Sequence, residues 1–422
     1  MRYRTIILTL AIIMSSAVPL LGQIIVPPIQ GPIIDRISIF IPELGGATLG
    51  AGDRRAVEFV RVLRNDLNNT GLFDVSGGGA GLDSFGGINF QAYFDAGGEA
   101  LVKGQYQPAG DTIRIDLSLF DVAREKALVG RTYEATSGKV REAAHRFAGL
   151  VIKQLTGLDG FFTSRIVFVS GANQNRDLNV MDYDGYGIRK LTNHRALLLS
   201  PNCSYDGTKV VFNSDKVWDQ DLYVIDLVPR IKETRLTRGF RLDQSAEWSP
   251  DGSKLAYSSN GDIFVANASG KGGVNITGTR AIEVSPTWSP DGRQIAFVSD
   301  RSGSPQVYVM NSDGSNVRKI STGSYNTDPS WSRNISVNRI AYVRVEGGEA
   351  NIFTVNPDGS DEQRLTWSSR RNENPSWSPD GHYIAFSSSR GGSSDIYIMY
   401  LNGQNQLQLT RGGGKTFPSW CK

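Results

Sequence analysis

Histidine and cysteine are the scarce residues of this 422-residue chain, with three of the first and two of the second. Two cysteines cannot build a disulfide scaffold, so an exported protein of this length must be held by its own apolar core. Whether Cys203 and Cys421 are joined is left open. His145, His194 and His382 lie far apart with no paired spacing and read as structural or surface residues, and neither cysteine has metal-ligand spacing around it. No metal and no cofactor is therefore expected. No Gly-x-Ser-x-Gly nucleophile motif occurs, which counts against a serine hydrolase. Net charge is nearly absent too: with Arg2 and Arg4 set aside, 43 basic residues face 42 acidic ones. That balance makes no electrostatic case for nucleic acid or an anionic membrane surface. Finally, residues 1–22 contain no acid. They hold Arg2, Arg4 and an apolar run from Ile6 to Leu21, short for a span and interrupted at Pro19. This is the pattern of a secretory signal peptide cleaved near Gly22 and Gln23, rather than of a membrane anchor.

What is present in abundance is repetition. The phrase Trp248-Ser249-Pro250-Asp251-Gly252 returns at Trp288, in shortened form at Trp331, in full at Trp377, and as Pro418-Ser419-Trp420 near the end. A worn copy, Pro201-Asn202-Cys203-Ser204-Tyr205-Asp206-Gly207, precedes them. Successive tryptophans are 40, 43, 46 and 43 residues apart, a period that with strand-like content means a β-propeller. Six apolar triplets of the Leu255-Ala256-Tyr257 kind predict six blades of four strands. Ser-Pro-Asp-Gly suits the turn after the first strand, since proline presets φ, aspartate bonds to the following amides and glycine takes positive φ. The tryptophans are read first as packing between blades. The first unit, from Arg165, lacks its Pro-x-Trp strand and residues 416–420 supply one, so the C-terminus is expected to complete the first blade and leave no open edge.

Ahead of the propeller, residues 23–34 form a proline-bearing extended arm with Ile24, Ile25, Val26 and Ile29 as apolar anchors. Residues 35–157 alternate strand and helix patterns and predict an α/β domain. Its first helix opens at Asp53 and carries Val57, Phe59, Val60, Leu63 and Leu67. Residues 158–422 are the propeller. The Asp182-Tyr183-Asp184-Gly185 stretch resembles the start of a calcium loop but lacks the bidentate glutamate, and reads as a blade turn.

The turns between strands one and two, and three and four, are nearly identical from unit to unit, whereas the connections on the other face vary. Recognition is therefore expected on that second face, around the channel mouth. Its candidate contact residues are Asp243, Gln244, Ser245, Glu283, Val284, Ser285, Asn326, Thr327, Asp328, Asn372, Glu373 and Asn374.

Taken in order, the signal peptide, proline-bearing arm, α/β domain, Leu155-Thr156-Gly157 linker, Asp182-Tyr183-Asp184-Gly185-Tyr186 and the repeats ending in Phe417-Pro418-Ser419-Trp420 resemble the TolB family of the bacterial Tol–Pal envelope system. The resemblance spans nearly the whole mature chain, although the arm here is richer in proline and the tail ends in Cys421-Lys422. It implies a non-catalytic periplasmic binding protein. Its mouth would receive the outer-membrane lipoprotein Pal and its arm, through Ile24, Ile25, Val26 and Ile29, would engage the inner-membrane protein TolA. Such a protein supports outer-membrane integrity and constriction at cell division. The expected protein is a monomer, with no nucleic acid partner and no direct membrane insertion. Two readings from other classes stand beside it: a propeller binding glycan or peptidoglycan directly, and the propeller of a prolyl-oligopeptidase-type peptidase.

Overall fold

In the computed structural model the described residues run from Arg36 to Lys422, apart from 47–51, 79–82, 85–86, 218, 229, 239–240 and 368–369. The signal peptide and arm, with Ile24, Ile25, Val26 and Ile29, lie outside the described residues. Among the described residues no helix is long and apolar enough to cross a membrane.

The N-terminal region is built on one mixed sheet in the order Phe73–Ser76, Ile37–Phe40, Ala100–Ala109, Thr112–Asp121, Lys126–Thr136. Its first three strands are parallel and the rest antiparallel. The helix Arg54–Thr70 starts where the Asp53 carboxylate accepts from the Arg55 amide, and it stops at Gly71 in the left-handed conformation. Its buried stripe runs through Ala56, Phe59, Val60, Leu63 and Leu67. Val57, placed on that stripe by spacing alone, lies to one side and is 49% exposed. A second long helix, Val140–Thr156, joins the same apolar core through Ala144, Phe147, Ala148 and Val151.

Six four-stranded antiparallel sheets follow. Their inner strands are Lys415–Cys421 for blade 1, then Leu198–Cys203, Asp243–Trp248, Glu283–Trp288, Asn326–Trp331 and Asn372–Trp377 for blades 2 to 6. The C-terminal strand pairs with Arg165–Ala172, so the first blade is made from both ends of the propeller segment. A disulfide between Cys203 and Cys421, 218 residues apart, ties this closing strand to blade 2.

Each Ser-Pro-Asp-Gly turn satisfies itself. In blade 3 the Ser249 hydroxyl donates to Asp251 Oδ1 (2.6 Å) and accepts from the Lys254 amide (2.9 Å), while the Ser253 amide donates to Asp251 Oδ1 (3.0 Å). These bonds hold the Asp251 carboxyl down at about 2. The glycines of the other turns set the spacing between blades. Gly314 has φ +90°, and a Cβ there would stand 2.1 Å from the Ile276 carbonyl oxygen at the end of blade 3. Gly403 meets the Leu365 carbonyl of blade 5 in the same way. These glycines serve both the left-handed turn and the close approach of neighbouring backbones.

The N-terminal region sits on this turn-bearing side of the ring, over blades 6 and 1. Phe161 packs against Tyr183, Tyr383 and Trp420 with ring centroids 5.1, 4.3 and 5.7 Å away. The Asn405 amide donates to the Asn69 carbonyl (2.7 Å) and the Tyr383 hydroxyl to the Thr70 carbonyl (3.3 Å). At the centre of the interface Asp66 is fully buried. It accepts from the Tyr183 hydroxyl (2.5 Å) and faces His145 Nδ1 (2.7 Å). Asp66, His145 and Asp184 bring potential ligand atoms within 4.8 Å of one another. Tyr183 and Arg141 already occupy the two carboxylates, however, so the group is an internal ion and hydrogen-bond network.

Candidate functional site

Strand alternation puts the turns between strands one and two on the same side as those between three and four, beside the N-terminal region. The connections between blades must therefore open on the opposite side, where each inner strand begins. Every inner strand carries one irregularity near that beginning. Its pairing with the second strand skips between the second and fifth residues, as between Gln244 and Glu247 or Glu373 and Ser376. The third residue has positive φ each time: Ser200 47°, Ser245 53°, Ser285 55°, Asp328 50°, Asn374 54° and Phe417 51°. Proline follows in five of the six, as suits a bulge residue whose amide has no partner to donate to.

Six bulges in a ring gather those third residues around the axis. They line a pit of about 110 Å³ together with Asn202 and Glu247. In its wall Asn374 Nδ2 donates to Asp328 Oδ2 (3.1 Å). Burial, helped by the like charge of Glu373, pushes the Asp328 carboxyl up to about 6.

The twelve candidates from the sequence divide by position. Gln244, Val284, Thr327 and Glu373, and the pit-lining Ser245, Ser285, Asp328 and Asn374, are all half-buried at the mouth. Asp243, Glu283, Asn326 and Asn372 are instead buried at the strand starts, with exposures of 6, 0, 0 and 0%. This corrects their reading as contact residues, because three of them are held from within by an arginine of their own blade. Arg301 donates to Glu283 Oε1 (2.7 Å), Arg344 to Asn326 Oδ1 (3.1 Å) and Arg390 to Asn372 Oδ1 (3.1 Å). They brace the mouth rather than present it.

Sequence reasoning missed the floor of the pit. Blade 5 has Arg333 where full copies of the repeat have proline. Blades 5 and 2 are three apart in a ring of six, so the Arg333 side chain crosses the axis to reach its partners. It donates to the Cys203 carbonyl (2.6 Å) and Asn202 Oδ1 (3.3 Å) and lies 4.6 Å over the Tyr205 ring. Beside it Glu247 is buried, and burial pushes its carboxyl up to about 7 against the opposing pull of Arg333 and of hydrogen bonds from Thr287, Trp288 and Asn202. The broken Ser-Pro-Asp-Gly phrase at Ser332-Arg333 was the available signal.

Glu247 carries a consequence for stability. Its ordinary value is 4.5 and its folded value about 7, so the folded state binds the extra proton between those limits. The stabilisation is complete below pH 4.5 and is lost as pH rises through 7. A shift of that size corresponds to about 3 kcal/mol. In Glu247→Gln this part of the slope disappears, while the contributions of Asp328 and of the other groups with raised folded values, His382 among them, remain. Urea unfolding at a series of pH values from below 5 to 8 checks it; parallel curves for both proteins would refute it.

The repeat tryptophans are 1–3% exposed. Trp288 donates to the Glu247 carbonyl (3.2 Å), Trp377 to the Ser330 carbonyl (2.9 Å) and Trp420 to the Ser164 hydroxyl (2.8 Å). They are packing residues, with no ring free to stack on a sugar.

Comparison with known proteins agrees with this architecture. The model for the TolB amino-terminal domain matches residues 28–128, and that for the TolB beta propeller domain matches residues 152–422. The "Protein TolB homolog" of Chlorobium chlorochromatii is 36% identical over 257 residues, covering 50% of this chain and 58% of that protein. The "Tol-Pal system protein TolB" of Syntrophotalea carbinolica is 35% identical over 163 residues, covering 37% of this chain and 38% of the relative. The matched segments thus span well under two thirds of these relatives. The crystal structure of TolB from Acinetobacter baumannii superposes with a TM-score of 0.80 over 92% of this chain and 97% of that one, at 24% identity, which is a likeness of fold. With a family model matched across the whole propeller and a second across most of the preceding region, the chain belongs to the TolB family.

Proposed function

We propose that this protein is a non-catalytic, periplasmic component of a Tol–Pal system that binds the outer-membrane lipoprotein Pal at the propeller mouth and the inner-membrane protein TolA through residues 23–34, and so links the two membranes during constriction. The observation that carries the reading is the six-fold bulge. It builds a pit ringed by half-buried side chains on the face turned away from the N-terminal region. That face is turned away from the N-terminal region and can receive a protein without displacing it. Membership of the family, with a Tol-Pal system protein among its relatives, supports the same assignment. The burial of the repeat tryptophans weighs against sugar stacking as the principal activity.

Calorimetric titration of residues 23–422, and separately of 35–422, with the soluble domain of Pal and with the periplasmic domain of TolA from the same organism tests it. Saturable one-to-one binding of Pal by both proteins, with TolA bound only by the longer one, is expected. Absence of Pal binding by either would overturn the assignment of the mouth.

A further inference from the structure

Against the near-neutral total charge, the connections between the blades are one-sided in charge. On the turn side acids and bases are mixed: Asp206, Asp251 and Asp291 share their turns with Lys209, Lys254 and Arg293, and the outer turns hold Asp313 and Asp358 with Lys271 and Arg318. On the mouth side six connections lead from the outer strand of one blade to the inner strand of the next: residues 191–197, 236–242, 276–282, 320–325, 365–371 and 409–414, of which 239–240 and 368–369 lie outside the described residues. They contain no aspartate, glutamate or lysine; they hold seven arginines and one histidine, His194, whose ring faces Glu233. Arg195, Arg238, Arg241, Arg280, Arg370 and Arg411 are exposed and make no ion pair among the described residues. Arg371 alone is paired, with Glu373.

Between the arginines stand exposed apolar side chains: Leu242 at 53%, Ile282 at 59%, Tyr325 at 45% and Trp367 at 57%. The acids of this face lie at the starts of the inner strands, where Asp243 and Glu283 are buried and Asp328 and Glu373 half-buried, and around the turns between the second and third strands. Several of them are bound to the connections themselves: Asp215 accepts from the Leu197 amide (2.8 Å), Asp300 from the Ile282 amide (2.8 Å), Asp177 from the His194 amide (2.9 Å) and Glu283 from the Thr279 hydroxyl (2.6 Å). The connection into blade 5 has no arginine and carries Tyr325 instead, so the collar is open on that side.

Arginine with aromatic and aliphatic neighbours, and without lysine, is the composition of a protein interface core. A guanidinium pairs with a carboxylate through two parallel hydrogen bonds and is less strongly hydrated than an ammonium group. We propose that the mouth is an arginine collar that recognises a carboxylate-rich face on its protein partner, with the apolar rim covering the surface between the ion pairs. This rests on the reading of the mouth as the partner-binding face and names the chemistry of what it takes. Charge of this kind acts on encounter and register, so its signature is kinetic and salt-dependent.

The test uses the full mature chain and the soluble domain of Pal from the same organism, with binding followed by surface plasmon resonance. Raising salt from about 50 to about 500 mM is expected to slow association by about tenfold or more, because exposed charges are screened within a few ångströms at the upper value. The double variant Arg241→Glu/Arg280→Glu is expected to weaken binding by about tenfold or more, mostly through the association rate. Arg293→Glu, on the turn face, is expected to leave it unchanged. Because all three arginines are exposed, thermal unfolding of each variant should match the parent. If Pal binds and neither salt nor the double variant alters its association, the collar is overturned while the binding role of the mouth stands. If Pal does not bind at all, both fall together. If vesicles containing phosphatidylglycerol bind the parent more tightly than Pal does and lose the double variant, the arginines serve lipid and the proposal is overturned.

Discussion

Cutting the chain after Gly414 is expected to abolish cooperative unfolding of the propeller. The lost segment is the inner strand of blade 1, whose pairing with Arg165–Ala172 closes the ring with residues remote in sequence. Trp420 goes with it, 1% exposed, packed on Phe161 and bonded to Ser164. Removing a buried tryptophan alone costs about 3–5 kcal/mol. The Cys203 amide loses the Ser419 hydroxyl it donates to (3.0 Å), and the second strand of blade 1 becomes a bare edge open to pairing with another chain. The sum is comparable with the whole stability of an ordinary domain, about 5–15 kcal/mol. Loss of the sharp calorimetric transition, with aggregation, is the expected result; a truncated protein melting like its parent would rule out closure as a source of stability. Breaking only the disulfide, in Cys203→Ser/Cys421→Ser, keeps strand and tryptophan. It is expected to cost about 3 kcal/mol, because the bond constrains a very long loop in the unfolded chain.

Asp66→Ala is the second large effect expected. Asp66 is buried between the two parts of the molecule, where it accepts from Tyr183 of blade 1 and faces His145 of the helix Val140–Thr156. Truncation takes the shared carboxylate from both the tyrosine hydroxyl and the imidazole nitrogen within a buried interface, and the other imidazole nitrogen has no hydrogen-bond partner among the described residues. Breaking a buried polar network from one side in this way costs about 3–5 kcal/mol. Calorimetry should show the single transition separating into two as the N-terminal region loses its hold on blades 6 and 1. Tyr183→Phe removes one of the two partners and should cost less, and in the double variant the penalties should fall short of their sum. Full additivity would mean that the two residues do not act as one unit.

Much of this architecture was legible in the order of residues because it depends on local chemistry repeated at a fixed period. Six copies of the apolar triplet implied six blades, and the Ser-Pro-Asp-Gly phrases marked turns that satisfy themselves within five residues, as Ser249 and Asp251 do. The side of the ring on which variable connections gather followed from strand alternation alone. The mouth was harder. Asp243, Glu283, Asn326 and Asn372 are polar residues beside a loop and looked available, but in the fold they are buried, and arginines from the end of the second strand hold the last three. The bulge, by contrast, had a written trace in the proline after Ser200, Ser285, Asp328, Asn374 and Phe417.

By itself, then, the sequence determined the repeat, the blade count, the turn chemistry and the family, since each of these is set by neighbours within a few residues or by a constant spacing. Tertiary structure alone decided the rest. Arg333 reaches Cys203 across the axis, Asp66 finds Tyr183 and His145 from three different elements, and seven arginines from five connections collect on one face of a molecule with almost no net charge. These depend on which distant residues are brought within a few ångströms or onto a common surface. Total charge and local pattern contain no record of that, because the energies of burial, pairing and screening depend on position in space and not on position along the chain.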